Sequence, residues 1–97
     1  MLFNLGETVM TRGVYEKLED IEDALSMNDL MLMLGKHINN DSDSCEEDRE
    51  LNQQAINHNC DRVVSKFNLF GDSYFVITYL YENQIYNNTT VMLTWEY

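Results

Sequence analysis

Apolar residues recur at helical spacing near the start of the chain. Four of them stand four, three and four positions apart: Val14, Leu18, Ile21 and Leu25. Residues at this spacing lie on one face of an α-helix, so the pattern predicts a first helix that begins near Gly13. The preceding residues 3–10 predict an N-terminal strand or extended arm, interrupted at Gly6.

A capping box predicts the start of a second helix. Ser26 and Asp29 stand three residues apart, so each side chain is able to accept a hydrogen bond from the backbone amide of the other. A short apolar run follows, and Gly35 is of the residue type that most often ends a helix. We therefore expect this helix to run through Leu34 and to end near Gly35.

A second capping box predicts a third helix. Ser44 and Glu47 have the same spacing, and the acidic residues beside them suit the positive end of a helix dipole. The helix is expected to continue to about residue 57. Its inward face is predicted to contain three apolar residues: Leu51, Ala55 and Ile56.

After residue 61 the apolar pattern changes from a helical period to a period of two, which is typical of β-strands. Residues 63–69 alternate between inward and outward positions and predict a strand with one buried face. Residues 74–81 are apolar on both faces, which predicts a central strand covered on both sides. Residues 89–95 predict a third strand that places three apolar residues on one face: Val91, Leu93 and Trp95.

Helices that precede a run of strands are typical of α+β domains. The 97 residues fit one domain, and 44% of them are apolar, which is a composition that folds. We therefore predict a single domain over residues 1–97, with about three helices packed on a small antiparallel sheet of three to four strands. No apolar stretch approaches the length of a membrane-spanning helix.

The charge of the chain is strongly negative. Seventeen acidic residues oppose six basic residues, which gives a formal net charge of −11. Proteins bind nucleic acids and anionic membranes through Lys and Arg, so this charge argues against direct binding to either. It favours a partner protein with a basic surface, and the alternative is that the charge only maintains solubility.

Two acidic clusters are the candidate partner-binding sites. The first lies on one stripe of the first predicted helix: Glu16, Glu19, Asp20 and Asp23. The second lies within residues 41–50: Asp41, Asp43, Glu46, Glu47, Asp48 and Glu50. Carboxylates on one helix stripe stand roughly 5–6 Å apart, on the scale of the phosphates of a nucleic-acid strand. The clusters therefore indicate binding to a surface that normally holds phosphates, and an ordinary solvated helix face is the alternative interpretation.

The second cluster does not have the pattern of a calcium-binding EF-hand loop. Such a loop needs glycine at its sixth position and glutamate at its twelfth. Counted from Asp41, these positions hold Glu46 and Asn52. A loop followed by an acidic helix start is the better interpretation of this segment.

Two histidines and two cysteines are candidate metal-binding or catalytic residues: His37, Cys45, His58 and Cys60. Structural zinc sites usually pair their ligands two to four residues apart, and here only His58 and Cys60 are near each other. Hydrolase and nucleotide-binding motifs are missing from the sequence. We therefore expect no metal, no cofactor and no enzymatic activity, and instead two buried or half-buried thiols and two surface histidines.

Several short motifs follow one another along the chain. They are Leu5-Gly6, VMTRGV at residues 9–14, His37, Asp41, CEED at residues 45–48, Asn52, Arg62 with Ser65, VIT at residues 76–78, Thr89-Thr90 and Glu96-Tyr97. Their order resembles that of a family of small proteins, called plasmid-related proteins, which are carried by plasmids, integrative elements and phages. Where the family has a tryptophan, this chain has a serine at or near position 42, and an asparagine-rich loop at residues 83–88 replaces a second polar segment.

The resemblance covers nearly the whole chain and implies a genetic setting rather than an activity. It implies a protein of a mobile element that acts in the cytoplasm of a bacterial host. The first functional hypothesis is a non-catalytic inhibitor of a host nucleic-acid-binding defence protein, of the anti-CRISPR or anti-restriction type, acting through the acidic clusters. The second is a regulatory or structural accessory protein of the element, which forms a homo-oligomer through the aromatic strand at residues 74–81.

Overall fold

The computed structural model describes residues 2–19 and 25–97. Three helices and four strands lie in this part of the chain. In chain order they are β1 (Glu7–Met10), α1 (Arg12–Glu19), α2 (Met27–His37), α3 (Glu46–His58), β2 (Arg62–Leu69), β3 (Asp72–Tyr79) and β4 (Asn88–Leu93). Short 3₁₀ turns at Gln84–Tyr86 and Thr94–Glu96 flank β4.

The strands form one sheet in the order β1-β4-β3-β2. The predicted α+β class is confirmed, and β3 is a central strand as its sequence indicated. The β2–β3 and β3–β4 pairs are antiparallel, whereas β1 runs parallel to β4, so the sheet is mixed. Strands that are joined by a tight turn must be antiparallel, but β1 is separated from β4 by all three helices and is free of that constraint.

The helices α1 and α2 cover one side of the sheet, which we call the inner face. The core on this side contains Phe67, Tyr74, Val76, Val91 and Leu93 from the strands, and Val14, Leu30, Met33 and Leu34 from α1 and α2. A second cluster joins α3 to the N-terminal arm through Phe3, Ala55, Ile56, Val63 and Leu80. The alternation predicted for residues 63–69 is confirmed, because the inward side chains of β2 from Val63 to Phe67 are buried.

The first helices begin near their predicted positions. Ser26 Oγ accepts a hydrogen bond from the Asp29 amide at 3.1 Å, and Asp29 Oδ2 accepts one from the Ser26 amide at 2.9 Å, which confirms the capping box. The helix α2 continues to His37, three residues beyond the predicted Leu34, because Gly35 keeps a right-handed backbone and His37 supplies a further inward position. Of the predicted residues of the first helix, Ile21 lies outside the described residues. Leu25 is buried in the core but lies outside a helix, so its predicted place on the first helix is wrong.

The start and inward face of α3 differ from the prediction. Cys45 occupies the N-cap position without a side-chain hydrogen bond, and the Ser44 hydroxyl instead accepts a bond from the Lys66 amide at 3.0 Å. Leu51 is 58% exposed, and Asn52 takes the inward position at 5% exposure. Both differences arise because α3 packs beside the edge strand β2, whose outer backbone groups need polar partners.

Polar groups of α3 and the preceding loop close the edge of β2. The Asn52 amide pairs with both backbone groups of Val64, accepting from its N–H at 3.0 Å and donating to its carbonyl at 2.8 Å. The Asp43 amide donates to the Lys66 carbonyl at 2.9 Å, and the Asp43 carboxylate accepts from the Asn68 amide at 2.9 Å. This edge is therefore unavailable for pairing with another strand.

Replacing Asn52 with alanine is expected to lower the free energy of unfolding by about 2 kcal/mol, because both backbone groups of Val64 lose their partner in a partly buried position. Urea titration of the two proteins measures the difference. Gln53→Ala is the matched control, since the Gln53 amide bonds only to exposed or half-buried neighbours on α3 and the loop before it. Equal losses in the two variants would contradict the closing role of Asn52.

The C-terminal residues leave the sheet earlier than predicted. The strand β4 ends at Leu93, and Trp95 lies in a 3₁₀ turn with 76% of its surface exposed, so its predicted place on the strand face is wrong. The turn forms because the Glu96 carboxylate folds back and accepts hydrogen bonds from the Leu93 and Gly13 amides at 2.9 and 3.1 Å. Glu96 thereby ties the chain end to the start of α1.

The prediction that both sides of β3 are covered is confirmed for the side facing α1 and α2 and only in part for the opposite side. On the side opposite α1 and α2, which we call the outer face, Ile77 is buried but Tyr79 is 46% exposed. The ring of Tyr97 covers part of this side. Its centroid lies 5.6 Å from that of the Phe75 ring, in an edge-to-face arrangement, and its hydroxyl accepts a hydrogen bond from Arg62 at 2.9 Å.

Candidate functional site

The acidic residues predicted on the first helix are only partly described. Glu16 and Glu19 are exposed on α1, while Asp20 and Asp23 lie outside the described residues. Arg12 makes an ion pair with Glu16 at 3.0 Å, and a hydrogen bond to the Glu19 carboxylate raises the pKa of Tyr15. The described part of this stripe is therefore engaged by neighbouring side chains.

Five carboxylates of the second cluster form an uncompensated surface at the start of α3. They are Asp41, Glu46, Glu47, Asp48 and Glu50, and we call them the α3 acidic surface. All five are exposed, and none makes an ion pair with a Lys or Arg of the described residues. Three of them occupy the first turn of α3, where the positive end of the helix dipole stabilises negative charge.

Asp43, the sixth acidic residue predicted in this cluster, has a different role. Its carboxylate accepts the hydrogen bond from the Asn68 amide that helps to close the edge of β2. Glu16 and Glu19, the described residues of the first cluster, also do not join the second, because α1 packs against β4 and α3 against β2, with β3 between these strands. The α3 acidic surface is therefore the part of the predicted site that the structure keeps together.

An open groove of about 1030 Å³ runs between α3 and the outer face of β2. Val64 and Phe75 contribute apolar surface, and Arg62 and Lys66 bring positive charge beside the α3 acidic surface. Both cysteines lie in this groove and are exposed, so the expectation of buried or half-buried thiols is wrong. The 13-residue helix α3 separates them by about 20 Å, so they cannot form a disulfide with each other.

His37 is fully buried, so the expectation of a surface histidine is wrong for this residue. Its Nδ1 lies 2.6 Å from the Ser65 hydroxyl and its Nε2 lies 2.8 Å from the Thr78 hydroxyl. The network continues from Thr78 to Thr89 at 2.7 Å and from Thr89 to the Leu5 carbonyl at 2.7 Å.

The carbonyl at the end of this network determines the direction of every proton in it. A carbonyl only accepts, so Thr89 donates to Leu5 and must accept from Thr78. Thr78 then accepts from Nε2–H of His37, which leaves Nδ1 as the acceptor for the Ser65 hydroxyl. His37 is therefore the neutral Nε2–H tautomer, and burial agrees with this by lowering the pKa of His37 to about 3.

The Ser65–His37 pair has the distance of a nucleophile and its general base, but it lacks access to a substrate. Both residues are 0% exposed, and neither lines the groove beside α3. A nucleophile must reach the substrate, so this pair is a structural joint between α2 and β2 rather than a catalytic one. The described residues contain no group of three or more His, Cys, Asp or Glu side chains arranged to hold a metal ion.

Many polar residues behind the resemblance to plasmid-related proteins make internal hydrogen bonds. The residues are His37, Asn52, Ser65, Thr78, Thr89 and Glu96. Sequence reasoning did not assign them a structural role, although Ser65 and Thr78 occupy inward positions of their strands. A polar side chain at an inward position must find a partner, and this is the signal that predicts such a network.

Comparison with protein-family models, curated proteins and solved structures finds no significant match to this chain. The resemblance to plasmid-related proteins therefore stays a prediction. Among the described residues, no helix is both long and apolar enough to cross a lipid bilayer.

Proposed function

We propose that the protein is a non-catalytic binding protein whose α3 acidic surface docks on a basic surface that normally holds nucleic acid. The observation that carries this proposal is the set of five exposed carboxylates without ion-pair partners among the described residues. Lys and Arg of a phosphate-binding surface make charge-assisted hydrogen bonds with carboxylates as they do with phosphates. In the genetic setting that the resemblance implies, the partner is a host defence protein in the bacterial cytoplasm, which the acidic surface inhibits by occupying its nucleic-acid site.

The rigidity of α3 supports this function. The helix is held to β2 by the Asn52 amide and by the buried side chains of Ala55 and Ile56. Carboxylates on a fixed helix keep their spacing on binding, so less conformational entropy is lost than on a disordered acidic tail. The buried location of His37 and Ser65 supports a non-catalytic role, because a substrate cannot reach this hydroxyl–imidazole pair.

Neutralising the α3 acidic surface is expected to lower the recovery of a basic partner at least about tenfold at low salt, because charge pairs at an interface control association and register. The variant combines Glu46→Gln, Glu47→Gln, Asp48→Asn and Glu50→Gln. Full-length wild-type and variant proteins serve as bait in bacterial lysate, with elution by rising salt and with a test of whether the eluted partner has lost nucleic-acid binding.

The control for the position of the charge is the double variant Glu16→Gln, Glu19→Gln on α1, which removes two charges from a different surface. The double variant Glu46→Gln, Glu47→Gln on α3 matches it in charge and should lower the recovery more than the α1 variant does. Circular dichroism confirms that each variant keeps its helices. Retention of the partner by the α3 variant at the wild-type level, or a salt-eluted partner that still binds nucleic acid in the presence of the bait, would refute the proposed function.

A further inference from the structure

Strand register arranges the outer face as three rows of side chains across the sheet. Read from β1 to β2, the first row is Glu7, Asn88, Tyr79 and Arg62; the second is Val9, Thr90, Ile77 and Val64; and the third, from β4 to β2, is Met92, Phe75 and Lys66. The second row is uncharged along its whole length. Ile77 in this row is already buried within the chain, so Val9, Thr90 and Val64 are the members that another protein would contact. An uncharged row that α1 and α2 do not cover is typical of a surface that packs against another protein.

The two halves of the outer face have different shapes. On the β3–β2 half, the ring of Tyr97 stands against Phe75 and Arg62 and remains 67% exposed, so it projects above the sheet. On the β1–β4 half, Val9 is 50% exposed, and Thr90 beside it is half-buried. One half therefore presents an exposed aromatic ring beside the groove, and the other presents the smaller side chains of Val9 and Thr90.

The two halves also carry opposite charges in the same row. Glu7 lies at the β1 end of the first row, and Arg62 lies at its β2 end. Three strand spacings of about 4.8 Å separate them, so they stand roughly 14 Å apart and cannot pair within one chain.

We infer that the outer face binds a second copy of this chain through a two-fold axis parallel to the strands. This axis places the β1–β4 half of each copy over the β3–β2 half of the other. Glu7 of each copy then faces Arg62 of the second copy, and the Tyr97 ring packs against the exposed side chain of Val9. This one two-fold rotation pairs the opposite charges and places the aromatic ring against smaller side chains. It also keeps the two sheets aligned as in β-sandwiches.

The net charge of the chain favours this face over others for self-association. Two copies that each carry −11 repel each other over most of their surfaces. The charged side chains in the three rows are Glu7, Arg62 and Lys66, which sum to +1, so the outer face brings no excess of carboxylates together. In this dimer the two α3 acidic surfaces lie at opposite edges, where both remain available to partners.

The size of the face predicts a weak dimer. Four strands and three rows of side chains give a footprint of roughly 19 by 20 Å, or about 400 Å² per copy. Standard protein interfaces bury about 800 Å² per partner, so this dimer should dissociate on dilution. A homo-oligomer through the aromatic strand at residues 74–81 was one of the predictions from the sequence. Because β3 lies between β4 and β2, both of its edges are paired, and only its face is available to a second copy.

Sedimentation velocity over a concentration series up to about 1 mM tests the inference at about 0.15 M ionic strength. Wild type is expected to sediment faster as its concentration rises. Glu7→Arg and Arg62→Glu, each alone, are expected to lower the association constant at least about tenfold, because each places two like-charge pairs in the interface. An equimolar mixture of these two variants should associate again, since every pair in the mixed dimer is then Arg with Glu.

Matched controls separate the interface from the net charge. Glu19→Arg and Lys36→Glu make the same changes in charge at exposed positions on α1 and α2, and both are expected to leave the association constant close to that of wild type. A wild-type protein that stays monomeric over the whole series overturns the inference. So does a mixture of the two outer-face variants that associates no better than either alone.

Discussion

Replacing His37 with alanine is expected to lower the free energy of unfolding by about 3–5 kcal/mol. The substitution removes the acceptor of the Ser65 hydroxyl and the donor to the Thr78 hydroxyl. It also leaves a cavity beside Phe3, whose ring packs edge-to-face against the imidazole with the ring centroids 5.2 Å apart. Urea titration measures the loss. His58→Ala is the control, because His58 is exposed and its replacement should change the stability by less than about 0.5 kcal/mol.

The same histidine is expected to make the stability depend on pH. Burial lowers the pKa of His37 to about 3 in the folded protein, whereas an unfolded histidine titrates near its ordinary value of 6.5. Between these values the unfolded chain binds more protons than the folded chain, so stability decreases as the pH falls below about 6.5. The slope approaches 1.4 kcal/mol per pH unit at its steepest and ends near the folded pKa.

The variant His37→Gln isolates this effect, because an amide also accepts from Ser65 and donates to Thr78 but does not titrate in this range. Urea titrations of both proteins between about pH 4 and 7 give their difference in stability, from which the contribution of the carboxylates cancels. The stability advantage of wild type should shrink steadily toward low pH. Two curves that stay parallel across this range would contradict a buried, neutral His37.

Replacing Gly6 with alanine is expected to lower the free energy of unfolding by about 3 kcal/mol or more, and the melting temperature by roughly 12 °C or more. Gly6 has a φ of +65°, and a Cβ atom at this position would overlap the Asn87 carbonyl oxygen. Asn87 cannot move away, because its side chain bonds to the Asn4 carbonyl and the Tyr81 amide, both at 2.9 Å. Thermal denaturation measures the effect.

Gly71 provides a matched control for Gly6. It has a φ of +84°, but no atom lies within 4 Å of the place where its Cβ would be. The change Gly71→Ala therefore introduces only the backbone strain of the left-handed region, which amounts to about 1 kcal/mol. If both substitutions were equally damaging, the contact with Asn87 would not be the cause.

The sequence was sufficient where structure depends on near neighbours. The capping box of Ser26 and Asp29 forms as predicted because both partners lie within one helical turn. The strand β2 follows from a period of two, because alternation assigns each side chain to one face whatever the partner strand is. The strand β3 follows from a short run that is apolar on both faces. The α+β class follows from the order of these elements along the chain.

Part of the candidate site was also predictable, since the negative charge and its concentration in residues 41–50 are properties of composition. Which of these carboxylates are uncompensated depends on the fold. The Asp43 carboxylate accepts a hydrogen bond from the Asn68 amide, 25 residues away, and Glu16 forms an ion pair with Arg12. The separation of the acidic clusters depends on the strand that each helix packs against.

Only the tertiary structure decided the roles of Ser44, Asn52 and His37. Ser44 has the spacing of a helix cap, yet its hydroxyl accepts a hydrogen bond from the amide of Lys66 instead. Asn52 lies inward where an apolar residue was predicted, because it pairs with an open strand edge 12 residues away. The imidazole of His37 joins strands 28 and 41 residues away in the chain. A local pattern shows that a polar group needs a partner, but only the packing of distant elements determines which partner comes within hydrogen-bond distance.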